Sequence, residues 1–231
     1  MMRKAGWACA AGILAAVTVV IFGITLVIWC ISGNGGLLAE EMLRAAPPEK
    51  TGLPEAEYPG VGRMIAGYLT GREERFQYVF SDSAGNRYQC FQPHEEAHMA
   101  DCRTLISLDR TVCIAGFVLF TLMTTLGLSV KTGRKSFRRG ILWGLRVFAG
   151  IAAVLFIWAV TDFDGFFVSF HRIAFTNDGW LLDARTDLLL RLMPVSFFIR
   201  LGIRGLGWSL IIPTMLEAAV RIIPAVLRKR V

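Results

Sequence analysis

Charged residues are absent from two long stretches of this sequence, and their absence limits the folds that the chain can adopt. No Asp, Glu, Lys or Arg occurs in residues 5–39 or in residues 111–130. A helix needs about 20 apolar residues to cross the hydrocarbon core of a bilayer. Both stretches reach that length, so the sequence predicts a membrane protein rather than a soluble domain.

Two further apolar stretches complete the predicted membrane domain. Residues 141–160 carry one charge, Arg146, near their basic end, from which a long side chain can reach the interface. Residues 194–225 contain four charged positions, and residues 205–220 are their most apolar part. We therefore predict an α-helical membrane protein with four transmembrane helices and a small mixed α/β extracytoplasmic domain between spans one and two.

The predicted segments alternate between spans and the two sides of the membrane. The first apolar stretch exceeds the roughly 7–15 residues of a signal-peptide core, so we predict a retained anchor. In chain order the predicted segments are a first span (1–31), an extracytoplasmic domain (32–111), a second span (112–130), a basic cytoplasmic loop (131–140), a third span (141–160), an interfacial aromatic segment (161–193), a fourth span (194–225) and a cytoplasmic tail (226–231).

Local patterns predict the contents of the extracytoplasmic domain. Short helices are expected at residues 38–45 and 61–69. Alternating aromatic residues in 76–80 and 87–91, on either side of a turn-rich stretch, predict a β-hairpin. Pro93 is expected to open a helix that continues to about residue 108 and runs toward span two.

The charges on the two sides of the predicted spans differ strongly. Residues 1–4, 131–140 and 221–231, which are expected on the cytoplasmic side, hold 11 basic residues and no acidic one. Residues 32–111 and 161–188, which are expected outside, hold 17 of the 18 acidic residues and 10 basic ones. Cytoplasmic loops of membrane proteins are enriched in Lys and Arg, so both termini are predicted to be cytoplasmic. The net charge of +7 reflects this bias and gives no reason to expect a nucleic-acid partner.

The chain contains three histidines, and two of them belong to one short string. His94, Glu95 and His98 form a His-Glu-x-x-His pattern, the signature of a membrane zinc metalloprotease. In the same string, His98, Asp101 and Cys102 share one helical face, where the carboxylate is placed to orient the histidine as a base. An amphipathic helix without catalytic function is a third interpretation.

The third histidine, His171, lies in the aromatic segment that is predicted to lie at the bilayer surface. The neutral form of a histidine is favoured in such an apolar setting, which suits a catalytic base. The same rings also fit a simple interfacial belt, so a non-catalytic membrane accessory protein remains an alternative. Cys90 and Cys102 are both predicted to face outward, where oxidation to a disulfide is permitted. The sequence does not decide whether the two are joined.

At these two strings the sequence resembles the bacterial lipoprotein intramolecular transacylases, the Lit family. The resemblance lies in the residues from His98 to Asp101 and in those from Phe170 through Asn177, Trp180, Asp183 and Asp187 to Pro194. The four-span plan, with a large first and a short second outward segment, also resembles that family. Cys102 departs from the pattern, because the family tends to have an aliphatic residue there. Ala174 departs as well, and His94 is not part of the pattern.

The resemblance implies an enzyme, an intramolecular acyltransferase. Its members move the sn-2 O-acyl chain of diacylglyceryl-cysteine lipoproteins to the N-terminal amine and give lyso-form lipoprotein. The implied catalytic residues are His98 and His171, with His98 assigned as the base and His171 as its partner, although the reverse order stays open. Asp101, Arg172 and Trp180 are the supporting candidates.

The resemblance also implies partners and a location. The partners are diacylglyceryl-modified lipoproteins and the phospholipid bilayer. We expect a multi-pass monomer in the bacterial cytoplasmic membrane, with an extracytoplasmic active site and without a cofactor or a metal.

Overall fold

The computed structural model of the protein describes residues 2–81, 84–129 and 133–228. These residues form mainly helices and one small sheet. In chain order the elements are α1 (Met2–Ser32), α2 (Gly35–Ala45), α3 (Pro48–Thr51), a 3-10 turn (Glu55–Glu57), α4 (Tyr58–Leu69), β1 (Val79–Ser81), β2 (Arg87–Gln89), α5 (Pro93–Ser129), α6 (Arg134–Thr161), α7 (Phe163–Ala174), α8 (Leu188–Leu192), α9 (Val195–Ser209) and α10 (Ile211–Arg228).

Four helical stretches are long and apolar enough to cross a membrane, judged by length and composition. They are Gly6–Ser32, Pro93–Ser129, Arg134–Thr161 and Val195–Ile222. The second begins far before the predicted span at residue 112, because α5 is one continuous helix. No Gly or Pro interrupts residues 94–115, so the predicted extracytoplasmic helix and the charge-free span that follows it are joined without a break.

The predicted limits of two other segments differ from the structure. The predicted basic loop at 131–140 is largely helical, because α6 already begins at Arg134 and continues without a helix-breaking proline. Residues 130–132 and 229–231 lie outside the described residues. The fourth apolar stretch is divided into α9 and α10 at Leu210, where Pro213 has no N–H to donate to the carbonyl of Ser209.

The chain forms two compact units, and the first consists of Met1–Leu26, Thr111–Val168 and Leu206–Val231. Within it, α1 and α6 pack through small residues. A Cβ atom added at Gly12 would collide with the carbonyl oxygen of Phe137, and one added at Gly140 would collide with the carbonyl oxygen of Cys9. Small residues of this kind let the backbones of membrane helices approach closely, and van der Waals contact then holds the pair together.

The second unit consists of Val27–Arg110 and Ser169–Gly205. Its apolar core includes Met42, Val61, Ile65 and Leu192, whose side chains are fully buried. These four residues come from α2, α4 and α8, so the short helix α8 is part of the same core as the predicted extracytoplasmic helices.

The local predictions for the second unit are confirmed with shifted ends. The predicted helices at 38–45 and 61–69 correspond to α2 and α4, and the predicted hairpin is the antiparallel pair of β1 and β2. In the register of that pair, Val79 lies opposite Gln89 and Ser81 lies opposite Arg87. Asp82 and Ser83, in the predicted turn, lie outside the described residues.

Candidate active site

The first turn of α5 is fixed by the carboxylate of Glu95. Its Oε2 accepts a hydrogen bond of 2.7 Å from the backbone N–H of Gln92, as a third-position glutamate does in a capping box. Its Oε1 accepts one of 2.7 Å from the backbone N–H of Leu189, in the first turn of α8. Glu95 is completely buried, and its two hydrogen bonds join the start of α5 to α8.

His98, one turn further along α5, lies close to His171 of α7. The centroids of the two rings are 6.3 Å apart, and the ring planes are inclined by 30°. Both side chains are buried, with 8% of each residue exposed. The structure therefore brings together the two histidines that the resemblance marked as catalytic, although they are 73 positions apart in the sequence.

Aromatic rings surround the histidine pair. The ring of Phe175 lies 5.4 Å from His98 and 5.5 Å from His171, measured between centroids. Trp180 lies 5.0 Å from His171, inclined by 36°, and Phe170 meets His171 edge-on. Trp180, a predicted supporting residue, is thus in direct ring contact with one of the two histidines.

Burial changes the acid–base properties of His98. Removal from water lowers the pKa of His98 below its usual value of 6.5, and the neighbouring His171 lowers it further, whereas the carboxylate of Asp101 acts in the opposite direction. Desolvation disfavours the charged form of any buried group. His98 is consequently a neutral imidazole, able to accept a proton, over a wider pH range than an exposed histidine.

Asp101 has a different partner from the one that its spacing suggested. Its Oδ2 accepts a hydrogen bond of 2.9 Å from the side-chain amide of Asn177, and it makes no hydrogen bond to His98. The other end of the Asn177 amide accepts a bond from the backbone N–H of Gly179, which tightens the turn before Trp180. Asp101 therefore holds the segment that carries Trp180, because its carboxylate faces that segment rather than the imidazole.

The geometry does not support the zinc-protease interpretation. The Nε2 atom of His94 lies 2.9 Å from Oδ1 of Asp187, so His94 faces a different partner from His98. Both carboxylate oxygens of Glu95, the expected catalytic base, accept backbone hydrogen bonds. Within residues 2–81, 84–129 and 133–228, no three His, Cys, Asp or Glu side chains are grouped so that they could hold a metal ion.

Arg172 and the two outward cysteines are the remaining candidates, and of these Cys102 alone contacts a histidine of the pair among the described residues. Arg172 is exposed on α7. Cys90 and Cys102 are free thiols, so the disulfide that the sequence left open is not formed. Cys90 is buried in the apolar core of the second unit, whereas Cys102 lies beside His98.

Sequence reasoning missed three residues that shape this site. Glu95 was considered only as a zinc-protease base, and its capping role could have been recognised from its position two residues after Pro93. Asn177 belongs to an Asn-Asp-Gly string, which is a turn signal. The contact of Phe175 with both histidines had no signal beyond its place in the aromatic segment.

Removing the buried carboxylate is expected to destabilise the second unit. In Glu95→Ala, the backbone N–H groups of Gln92 and Leu189 lose their acceptor, and each such loss costs about 1–3 kcal/mol. Together the two losses predict a decrease of about 2–6 kcal/mol in the free energy of unfolding, measured as reduced thermal stability in detergent. Glu96→Ala, at the partly exposed neighbouring position, is the matched control, and equal losses in both variants would contradict the role of Glu95.

Together, the four candidate spans and the buried pair of histidines define a membrane-integral helical protein with a histidine site. The family model described as lipoprotein intramolecular transacylase Lit matches residues 12–198, most of the chain. The chain belongs to the Lit family, and membership makes it a membrane lipoprotein transacylase.

Solved structures of Lit from Bacillus cereus have the same fold. One is 17% identical, with a TM-score of 0.73, and the match covers 95% of this chain and 96% of that one. A variant of that protein, with a histidine replaced by arginine, is 15% identical with a TM-score of 0.75, over 100% of this chain and 97% of that one. A search of curated protein sequences gives no match.

Proposed function

We propose that this chain moves the sn-2 O-acyl chain of a diacylglyceryl-cysteine lipoprotein onto the N-terminal amine of the same lipoprotein. The product is the lyso-form lipoprotein, which carries an amide-linked and an ester-linked chain. The observation that carries the proposal is the close approach of His98 and His171 in a buried aromatic setting. One acid–base pair is what this transfer requires.

The proposed reaction balances without a co-reactant. The amine nitrogen attacks the ester carbonyl and forms the new C–N bond, and the bond to the sn-2 glyceryl oxygen breaks. The proton that leaves the amine is matched by the proton that the glyceryl oxygen gains. Because the nucleophile and the ester belong to one molecule, correct orientation supplies much of the rate.

We assign the proton transfers to the two histidines. His98 takes the proton from the attacking amine, since burial keeps its imidazole neutral. His171 protonates the leaving glyceryl oxygen or stabilises the oxyanion. A separation of 6.3 Å between ring centroids suits a reacting group that contacts both rings, because a general acid or base acts within hydrogen-bond distance or through one water.

Asp101 and Trp180, two of the three supporting residues, position these rings. Trp180 packs on His171, and its segment is attached to α5 through Asn177 and Asp101. Within the described part of the chain, Arg172 has no contact that gives it a part in proton transfer, and as an exposed cation on α7 it suits the binding of lipid phosphate.

We also propose the orientation that the charge bias predicts. Both termini lie in the cytoplasm of a bacterium, and the histidine pair lies on the extracytoplasmic side of the cytoplasmic membrane. This side is the one on which diacylglyceryl lipoproteins present their N-termini. Reaction of engineered cysteines with a membrane-impermeant thiol reagent in intact cells tests the orientation.

The function is tested with a synthetic diacylglyceryl-cysteine lipopeptide and the purified protein in lipid. We expect a product of unchanged mass whose fragmentation shows an N-acyl group and a free glyceryl hydroxyl. A matched substrate with an acetylated N-terminus has no nucleophile and should remain unchanged. If the free-amine substrate also remains unchanged in the presence of folded protein in lipid, the proposed function is wrong.

The pH dependence of the rate should report the lowered pKa of His98. The substrate amine has a pKa of about 8, so the rate falls about tenfold per pH unit below that value in every variant. Protonation of His98 adds a second, equal slope only below pH 6.5, because its pKa is lowered. Asp101→Asn should move this second break to lower pH, since the carboxylate raises the pKa of His98. A break above 6.5 would contradict the assignment of His98 as the buried base.

A further inference from the structure

The hydrogen bonding of His98 is unusual for a catalytic imidazole. Its Nε2 atom lies 3.6 Å from the Sγ atom of Cys102, which is the hydrogen-bond partner of this ring among the described residues. Its Nδ1 atom is buried and has no hydrogen-bond partner among those residues. Catalytic and metal-binding histidines are usually oriented by a carboxylate or a carbonyl, but here the partner is a thiol.

The contact between His98 and Cys102 follows from helix geometry. The two residues are four positions apart on α5, so they are neighbours on one face of the helix. Burial raises the pKa of the Cys102 thiol to about 12, and the nearby carboxylate of Asp101 contributes to the increase. The sulfur is therefore an uncharged S–H group, and as a poorly ionised thiol it is not suited to act as a nucleophile.

The partnerless nitrogen indicates which tautomer this arrangement favours. A neutral imidazole carries its proton on one nitrogen and a lone pair on the other. If Nδ1 carried the proton, a buried N–H would have no acceptor, and buried N–H groups without partners are rare. If Nε2 carries the proton, it donates to Sγ of Cys102, and the lone pair lies on Nδ1.

We propose that Cys102 is a positioning residue that sets the tautomer of His98. Its sulfur accepts a hydrogen bond from Nε2–H and thereby leaves Nδ1 as the nitrogen that accepts a proton. The part that concerns catalysis rests on the proposed function, in which His98 is the base. The part that concerns the tautomer is a property of the protein without substrate.

An uncharged sulfur orients the ring without increasing its basicity. A carboxylate in the same place would stabilise the imidazolium form and raise the pKa of His98. Asp101, whose carboxylate raises the pKa of His98, is hydrogen-bonded to Asn177, and His171 is the other titratable group that shifts this pKa. The thiol therefore orients the ring without opposing the lowering of its pKa, which comes from burial and from His171.

The small number of histidines allows the tautomer of His98 to be measured directly by NMR. Protein labelled with 15N only in histidine has three imidazole spin systems, from His94, His98 and His171. His94→Gln and His171→Gln assign them by elimination. The 15N shifts of each ring then give the ratio of its two neutral tautomers, measured above pH 7 in detergent or in nanodiscs.

The wild-type protein should show His98 with its proton mainly on Nε2. In Cys102→Ala, which removes the acceptor, we expect the ratio of the Nε2–H to the Nδ1–H tautomer to fall about fivefold, the change that a hydrogen bond worth about 1 kcal/mol produces. Cys102→Ser retains an acceptor at this position and should retain the preference. Cys90→Ala, which removes a different buried thiol, should leave the His98 ratio unchanged.

Two results would overturn the proposal. One is a wild-type His98 with its proton mainly on Nδ1, and the other is a His98 ratio that is the same in Cys102→Ala and in the wild type. Neither depends on turnover, so they are distinguishable from failure of the proposed function, which appears as an unreacted lipopeptide. Cys90→Ala shows the effect of removing a buried thiol elsewhere in the same unit. A change in the His98 tautomer ratio that occurs in Cys102→Ala and not in Cys90→Ala is therefore specific to the contact with Cys102.

Discussion

Replacing either His98 or His171 by phenylalanine is expected to abolish the formation of lyso-form lipoprotein, with a loss of at least about 10²–10⁴-fold in rate, as is typical for removal of a general acid or base. Phenylalanine retains an aromatic ring, so the packing against Phe175 and Trp180 is largely kept while the nitrogens are lost. Mass spectrometry of the lipopeptide measures the product. The double variant should be little worse than either single one, because the two residues act as a unit.

The third histidine provides the control for this experiment. His94 is more than half exposed and bonds to Asp187, away from the His98–His171 pair. In His94→Gln the amide can still donate to that carboxylate, and we expect a rate within a few-fold of the wild type. Full activity in either phenylalanine variant would exclude the two-histidine mechanism, and a large loss in His94→Gln would show that it requires a third histidine.

The second large effect is expected far from the histidines, at the contact of α1 with α6. A Cβ atom at Gly140 would overlap the backbone carbonyl of Cys9 and would lie 3.0 Å from the backbone nitrogen of Ile13. Backbone atoms cannot move aside as side-chain ends can, so the helices would have to separate. We expect Gly140→Ala to cost about 3 kcal/mol, at the upper end of the usual range for overpacking, and to lower both the melting temperature and the yield of folded protein.

Gly150, on the same helix, is the matched control. Nothing lies within 4 Å of a Cβ atom added there, and the position is exposed. Gly150→Ala therefore changes only helix propensity, which favours Ala over Gly by about 1 kcal/mol in a helix interior. The two Gly-to-Ala changes should have opposite signs. Similar behaviour of both variants in a thermal unfolding assay would contradict the close packing of α1 on α6.

Most of the fold follows from patterns that are local in the sequence. The charge-free stretches predicted the membrane helices because their length and composition alone are decisive. The hairpin and the helices α2 and α4 followed from alternating or periodic apolar residues. The division at Leu210 and the unbroken course of α5 were missed, although both have local signals, which are Pro213 in the first case and the absence of Gly and Pro from residues 94–115 in the second.

The candidate site was only partly predictable. His98 and His171 were found through the resemblance, because no local pattern links residues 73 positions apart. The spacing of His98 and Asp101 suggested a hydrogen bond between them. In the structure, Asp101 instead accepts a hydrogen bond from Asn177. Spacing shows which residues share a helical face, but the partner of each polar group depends on what other segments bring close to that face.

The continuity of α5 links the proposed base, His98, to the thickness of the bilayer. The charge-free part of the helix, residues 111–129, is about 28 Å long, close to the thickness of a hydrocarbon core. A thinner bilayer is accommodated by tilting such a helix. His98 lies 12 residues before Arg110, at the end of about 18 Å of unbroken helix. The tilt of α5 therefore sets the distance of His98 from the bilayer midplane, and lipid chain length becomes a variable of the proposed chemistry.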